Sequence, residues 1–286
     1  MKLLVLLSLL TCSLFSFNIN ISSSTISNGR TALIEFDKEL HVEYDKLVVG
    51  KKKYKIFDNP KDTKKAYVLL PVSYYETPKN TKKVSLIYKE NNIQKTKSLF
   101  FKIEDGQYKK ETIKVQNSKV KLNKKDKQRA SKEYAQAMKI YGTTTKESYI
   151  TKPFIVPLSS KITSDFGKAR VYNDTLKGYH SGTDFRAKVG TPLVSCNDGV
   201  VVLAQDRFYS GGSVIVDHGQ GIYSCYYHMS KFDVKQGDSV KRGDLLGLSG
   251  DTGRVTGPHL HFSFRVGGEQ VDPLQLIELL NKNLLK

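Results

Sequence analysis

The chain is short of cysteine, short of acidic residues, and has no long hydrophobic run beyond its first residues. Its three cysteines, Cys12, Cys196 and Cys225, have neither zinc-finger spacing nor metal-ligand spacing with one another. Cys196 and Cys225 each lie beside an apolar strand-like run, and free cysteine is among the most buried residue types. Two buried thiols are therefore expected, although export would permit a disulfide. Acidic side chains number 28 against 46 Lys and Arg, a formal net charge of +18. Such an excess attracts an anionic partner. Nucleic acid is the first thought, but no RNA-binding signature is present and the basic residues are spread among strand-like segments. No nucleic-acid partner is expected. The one apolar run, Met1 to Phe17, begins with Lys2 and Leu3-Leu4-Val5-Leu6-Leu7. It is too short for a comfortable transmembrane helix and has the shape of a secretory signal peptide. No A-x-A site follows, and Leu9-Leu10-Thr11-Cys12 is a poor lipidation box because of Thr11. Simple export, or an uncleaved N-terminal anchor holding the protein at a membrane, is the expectation.

The 286 residues allow two modest domains. From residue 18 to about 116 the chain reads as β-rich. Short runs at 31–36, 66–70, 84–88 and 98–103 are separated by turn formers such as Asp58-Asn59-Pro60 and Glu104-Asp105-Gly106. Its one histidine, His41, is expected on a strand surface. A connector over 117–150 holds one helix. Ala130, Tyr134, Ala137, Met138 and Tyr141 recur at helical spacing, Asn123 caps the start and Gly142 ends it. That helix is expected to pack across both halves. Residues 151–286 return to β, with runs at 200–203, 213–216 and 221–228 between glycine turns. Asp272-Pro273 then opens a closing helix.

Histidine is also scarce, and four of the six sit in three motifs of the second half. His180 and Asp184 are four residues apart and project to one side of the chain. Gly178 and Gly182 disfavour a helix there. Imidazole nitrogen and carboxylate oxygen are both zinc ligands, and a tetrahedral site needs at least one more. His259 and His261 share one face of a strand, and Tyr226-Tyr227-His228 precedes them. Tyr226 and His228 are expected on a common face, with packing the default role of the tyrosine. His218 has no partner spacing.

Together these motifs resemble the LytM/lysostaphin-type zinc peptidases, which hydrolyse peptide bonds of bacterial peptidoglycan. The family's H-x-x-x-D falls on His180 and Asp184, its Y-x-H on Tyr226 and His228, and its H-x-H on His259 and His261. The resemblance runs from about Phe154 to Val271. It includes Asp165-Phe166-Gly167-Lys168-Ala169-Arg170 and the turn Ser249-Gly250-Asp251-Thr252-Gly253. It implies a mainly β fold, with an antiparallel LytM-type peptidase domain preceded by a small β-rich domain. One Zn2+ per chain is implied, held by His180, Asp184 and His261 with water in the fourth position, and His228 and His259 as catalytic groups whose roles the sequence does not divide. The substrate implied is the peptidoglycan stem peptide, and the leading bond is D-alanyl to meso-diaminopimelate, with D,D-carboxypeptidase trimming as a secondary activity. A glycyl-glycine endopeptidase or a non-catalytic amidase activator are the alternatives; the intact His180, Asp184 and His261 argue against the second. A periplasmic, monomeric protein is the corresponding expectation. Arg170 either binds a substrate carboxylate or forms a structural salt bridge. The N-terminal domain either restrains the peptidase or docks it on the wall. Glu76 is a candidate plug for the groove, or a solvated loop residue.

Overall fold

Strand-forming runs that are apolar at every position, rather than at alternate ones, need cover on both faces. Thr31–Asp37 and Lys65–Pro71 are of this kind. In the computed structural model, which describes residues 17–174 and 176–285, they form the centre of a four-stranded sheet. Ile34, Val68 and Leu70 point into a sandwich with Leu47, Val84, Phe101 and Ile103 of a five-stranded sheet. The neighbouring positions Leu33, Tyr67 and Leu69 point the other way and join the core of the C-terminal half. Gln275 of the closing helix reinforces that contact by bonding both the N–H and the carbonyl of Thr31, at 3.0 and 2.9 Å. The two halves therefore share a buried apolar interface.

Residues 1–16 of the apolar leader lie outside the described residues. Phe17 is described, and it is buried against Phe36, Tyr44 and Tyr88 with the Lys97 ammonium 4.6 Å from its ring centre. It thus packs as part of the sandwich. His41 sits in a left-handed turn (φ 66°) just before the strand Val42–Val49, and not on a strand surface as expected.

The stretch between the two sheets of the sandwich and the C-terminal half does two things. Lys110–Ile113 pairs in parallel with Ala169–Tyr172, which pairs in turn with Leu176–Tyr179. This strand lies before the boundary at 116 that composition suggested, yet it belongs to a sheet of the C-terminal half. The helix Lys124–Tyr141 follows, with Asn123 accepting a hydrogen bond from Asp126 N at 2.8 Å and Gly142 as C-cap. Only Ala137 and Tyr141 are buried on it, against Leu203, Ile215, Tyr223 and Cys225. Tyr134, expected on that face, is 64% exposed. The helix is also tied to the same sheet by Arg207 donating to the Glu133 carbonyl (2.6 Å) and Arg129 to Asp206 (2.8 Å). It covers the back of the C-terminal sheet instead of bridging both halves, because its apolar stripe is wide enough for one partner only. A protein cut near Thr145 would lose this cover and the strand Lys110–Ile113 together.

The C-terminal half is built on a twisted antiparallel sheet. Its order is Ile162–Ser164, Thr183–Arg186, His259–Val266, Ile222–Phe232, Gly211–Asp217, Gly199–Arg207, Ser239–Val240. The inner strands bury aromatic and branched residues such as Val214, Tyr226, Phe262 and Phe264. The closing helix Pro273–Asn283 starts at Asp272, whose carboxylate accepts from Leu274 N and Gln275 N, and buries Leu276 and Leu280. Cys196 and Cys225 are buried free thiols, as anticipated, and burial pushes the Cys196 thiol up to about 12.

Candidate metal centre and active site

The register of three strands assembles the site. Asp184 lies directly opposite His261, and His261 directly opposite Tyr227, so these side chains share one face of the sheet. His180 comes in from the turn before Thr183–Arg186. Gly182 makes that turn possible, since a Cβ there would sit 2.4 Å from the Phe262 carbonyl and 2.6 Å from His261 Nε2. The result is a triangle of donor atoms. His180 Nε2 is 2.9 Å from Asp184 Oδ1 and 3.0 Å from His261 Nδ1, which is itself 2.8 Å from Asp184 Oδ1. All three residues are buried.

The chemistry of this triangle fits a metal. His180 Nδ1 is 2.7 Å from the Asp165 carbonyl, which can only accept, so Nδ1 carries a proton and Nε2 is the atom turned to Asp184 and His261. Burial pushes the Asp184 carboxyl up, but hydrogen bonds from His180 and His261 outweigh it and hold the acid well below the usual carboxylate range. Burial pushes His261 down to about 4 although Asp184 raises it. Two imidazole nitrogens and a carboxylate oxygen thus converge about 3 Å apart, close to the ligand spacing that bonds of ~2.0–2.1 Å impose around a tetrahedral ion, and an ion bound there would replace the hydrogen bonds that join them. This His-Asp-His group can hold a metal ion.

A second layer fixes the ligands. Arg170 donates to Asp184 Oδ2 (3.3 Å), to Ser164 Oγ (3.2 Å) and to Glu111 Oε1 (2.6 Å). Of the two roles open for Arg170 in the sequence, the geometry supports the salt bridge. Glu111 lies on the connector strand Lys110–Ile113, so a residue well outside the histidine motifs anchors the arginine behind the carboxylate ligand. Partners of metal ligands typically govern affinity by 10- to 100-fold. Glu111→Gln should therefore weaken metal binding about 10-fold in a chelator competition; unchanged affinity would remove Glu111 from this role.

The two remaining histidines face the same cleft. His259 Nδ1 donates to the Gly257 carbonyl (2.8 Å), leaving Nε2 as a lone pair 3.7 Å from Asp184 Oδ1. His228 Nδ1 donates to the Thr252 carbonyl (2.8 Å), and its ring centre lies 4.8 Å from that of His259. Burial, and then the charges of His259 and His261, push the His228 imidazole well below its ordinary value. His228 has a left-handed backbone (φ 65°), a costly conformation for a residue with a side chain. Regular alternation would have turned its ring away from Tyr227 and His261; the left-handed turn brings it back. Tyr226 accordingly does not share the face of His228. It is fully buried, and its hydroxyl accepts from Cys196 N at 2.9 Å. The cleft tyrosine is Tyr227, stacked on His261 at 5.6 Å and 10°.

Arg170, Tyr172, Tyr179, Tyr209 and Arg254 also line the cleft. The sequence did not single out the tyrosines or Arg254, since a strand tyrosine reads as packing. Asp165 contributes its main-chain carbonyl only. His218 is a core residue, bonded to the Asp198 carbonyl (2.7 Å) and Ser224 Oγ (2.8 Å). Glu76 pairs with Lys82 at 2.5 Å. Its neighbours Tyr74 and Tyr75 instead touch the cleft wall, Tyr74 stacking on Tyr179 at 3.9 Å and 3°.

Residues 178–273, which span every histidine just described, match Peptidase family M23. This stretch of the chain is similar to M23 peptidase domains. The M23 match extends to named proteins. Peptidoglycan DD-endopeptidase ShyA of Vibrio cholerae is 43% identical over 122 residues, 42% of this chain and 28% of that protein. DD-carboxypeptidase/endopeptidase Mpg of Neisseria meningitidis is 38% identical over 97 residues, 34% of this chain and 22% of that protein. The chain thus spans less than a third of the length of these relatives. A Pseudomonas aeruginosa crystal structure described as peptidase M23 superposes with a TM-score of 0.65 at 25% identity, covering 88% of this chain and 94% of that one. Coverage of that extent takes in the N-terminal sandwich as well as the M23 domain.

Proposed function

We propose that the protein is a zinc endopeptidase cutting the D-alanyl–meso-diaminopimelate cross-link of peptidoglycan, with D,D-carboxypeptidase activity at the same site. His180, Asp184 and His261 hold one Zn2+. When bound, the ion supplies a Lewis acid that polarises the scissile carbonyl and acidifies water. The observation that carries this reading is the pairing of a three-donor triangle with two further imidazoles whose Nδ1–H groups are tied to carbonyls. Both His228 and His259 therefore offer Nε2 to the cleft. One Nε2 would take the proton of the attacking water, and the N–H so formed hydrogen-bonds the developing oxyanion before passing the proton to the leaving amine; the other Nε2 would orient the water as an acceptor. Arg170 keeps Asp184 ionised and aimed. Tyr227 braces the ring of His261.

The bond assignment is supported by the names of the relatives, DD-endopeptidase and DD-carboxypeptidase/endopeptidase. Its substrate lies outside the cytoplasm, which fits export through the leader and residence in the periplasm, with the N-terminal sandwich acting on the peptidase half through their shared interface. The test is digestion of purified cross-linked muropeptides by the full chain, with products identified by mass spectrometry. Dimers should fall to monomers, chelator should stop the reaction, and zinc should restore it. Cleavage that ignores chelator, or products cut in the glycan, would overturn the proposal; cleavage of glycine bridges would transfer it to the glycyl-glycine alternative.

A further inference from the structure

Among the described residues, Arg254 is the cleft cation whose guanidinium meets no acceptor. Its guanidinium carbon lies over two aromatic rings, 4.3 Å from the centre of Tyr172 and 4.5 Å from that of Tyr209. Arg170 on the same cleft is spent on Glu111, Ser164 and Asp184. Among the described residues no carboxylate or carbonyl meets the Arg254 side chain. The residue is nevertheless rigidly placed. Its N–H donates to the Tyr209 carbonyl at 2.8 Å, and Gly253 packs so closely on that turn that a Cβ would lie 2.5 Å from Gly211 N. Two residues earlier, the Thr252 carbonyl holds His228 Nδ1, and the Ser210 carbonyl accepts from His228 N at 2.8 Å. Arg254 is therefore built into the two turns that position His228.

A guanidinium held over two rings and meeting no acceptor among the described residues keeps its fork of N–H donors for recognition. That fork matches a carboxylate bidentately. We propose that Arg254 is a specificity determinant that binds a free carboxylate on the leaving-side residue of the substrate, on the carbon bearing the scissile nitrogen. The inference rests on the endopeptidase assignment above and narrows it. In a D-alanyl–diaminopimelate cross-link that carbon carries a free carboxylate, and so does the terminal residue of an uncross-linked D-alanyl–D-alanine end. One arginine would then account for both activities, while the same carbon in a glycine bridge carries an amide and offers no partner.

The test is steady-state kinetics of the zinc-loaded full chain on two cross-linked muropeptides, one with the free diaminopimelate carboxylate next to the scissile amide and one with that carboxylate amidated. Wild type should lose about 10- to 100-fold in kcat/KM on amidation, as expected for removal of a charge-assisted bidentate contact. Arg254→Gln should cleave both substrates at the level of wild type on the amidated one, with unchanged zinc content, and Arg254→Lys should recover part of the preference. Equal cleavage of both substrates by wild type, or an equal loss on both in Arg254→Gln, overturns the assignment of Arg254 while leaving the endopeptidase assignment standing. Failure of wild type to cleave either substrate defeats the endopeptidase assignment, and this inference with it.

Discussion

Alanine at His261 or at Asp184 should remove metal and activity together. Asp184 Oδ1 is the shared corner of the donor triangle, within 3 Å of both imidazole nitrogens. Loss of either residue leaves two donors, too few for a stable tetrahedral site. Removing His261 also strips the buried Asp184 carboxylate of one of the hydrogen bonds that keep it ionised. Turnover of cross-linked muropeptides should fall at least about a thousandfold, since metal polarisation is worth several kcal/mol in the transition state. Elemental analysis of the purified variants gives the second readout. A variant that keeps a full complement of zinc would show that the ligands are elsewhere.

His228→Asn should separate the two properties. Asparagine tolerates the left-handed backbone at this position better than alanine, so the local fold is preserved. Its amide cannot exchange a proton as Nε2 does, and loss of a general acid–base group costs about 10²–10⁴ in rate. Zinc content should remain near that of wild type, because the His228 ring is 6.0 Å centre to centre from His261 and no atom of it belongs to the donor triangle. A zinc-free His228→Asn protein would place His228 among the ligands.

The set His180, Asp184 and His261 was named in the sequence through the resemblance of H-x-x-x-D and H-x-H to the family's motifs; local spacing placed each pair on one side of the chain but did not choose His261 over His259. Caps at Asn123 and Asp272 likewise announced their helices, and the connector helix begins at Asn123 and ends at Gly142 as those residues predict. What the sequence did not disclose depends on contacts between distant segments or on a single unusual dihedral. Tyr226 and Tyr227 exchange roles because His228 breaks the period of two. Glu111 reaches Arg170 only through parallel pairing of strands that are more than fifty residues apart, as the register Glu111 to Arg170 records. The shared interface between the halves had a visible trace, the near-continuous apolar runs at 31–36 and 66–70, since a sheet with one solvated face would alternate. Tyr134 misled because helical spacing marks a face without saying how much of it a partner covers.

Zinc-edge X-ray absorption of the metal-loaded full chain tests the central claim most directly, because the chain also holds two buried thiols that could compete for the ion. The account predicts one zinc per chain in a nitrogen and oxygen shell at about 2.0–2.1 Å, with two imidazoles resolved in the outer scattering. A sulfur shell near 2.3 Å, or an unaltered spectrum in His261→Ala, would contradict it.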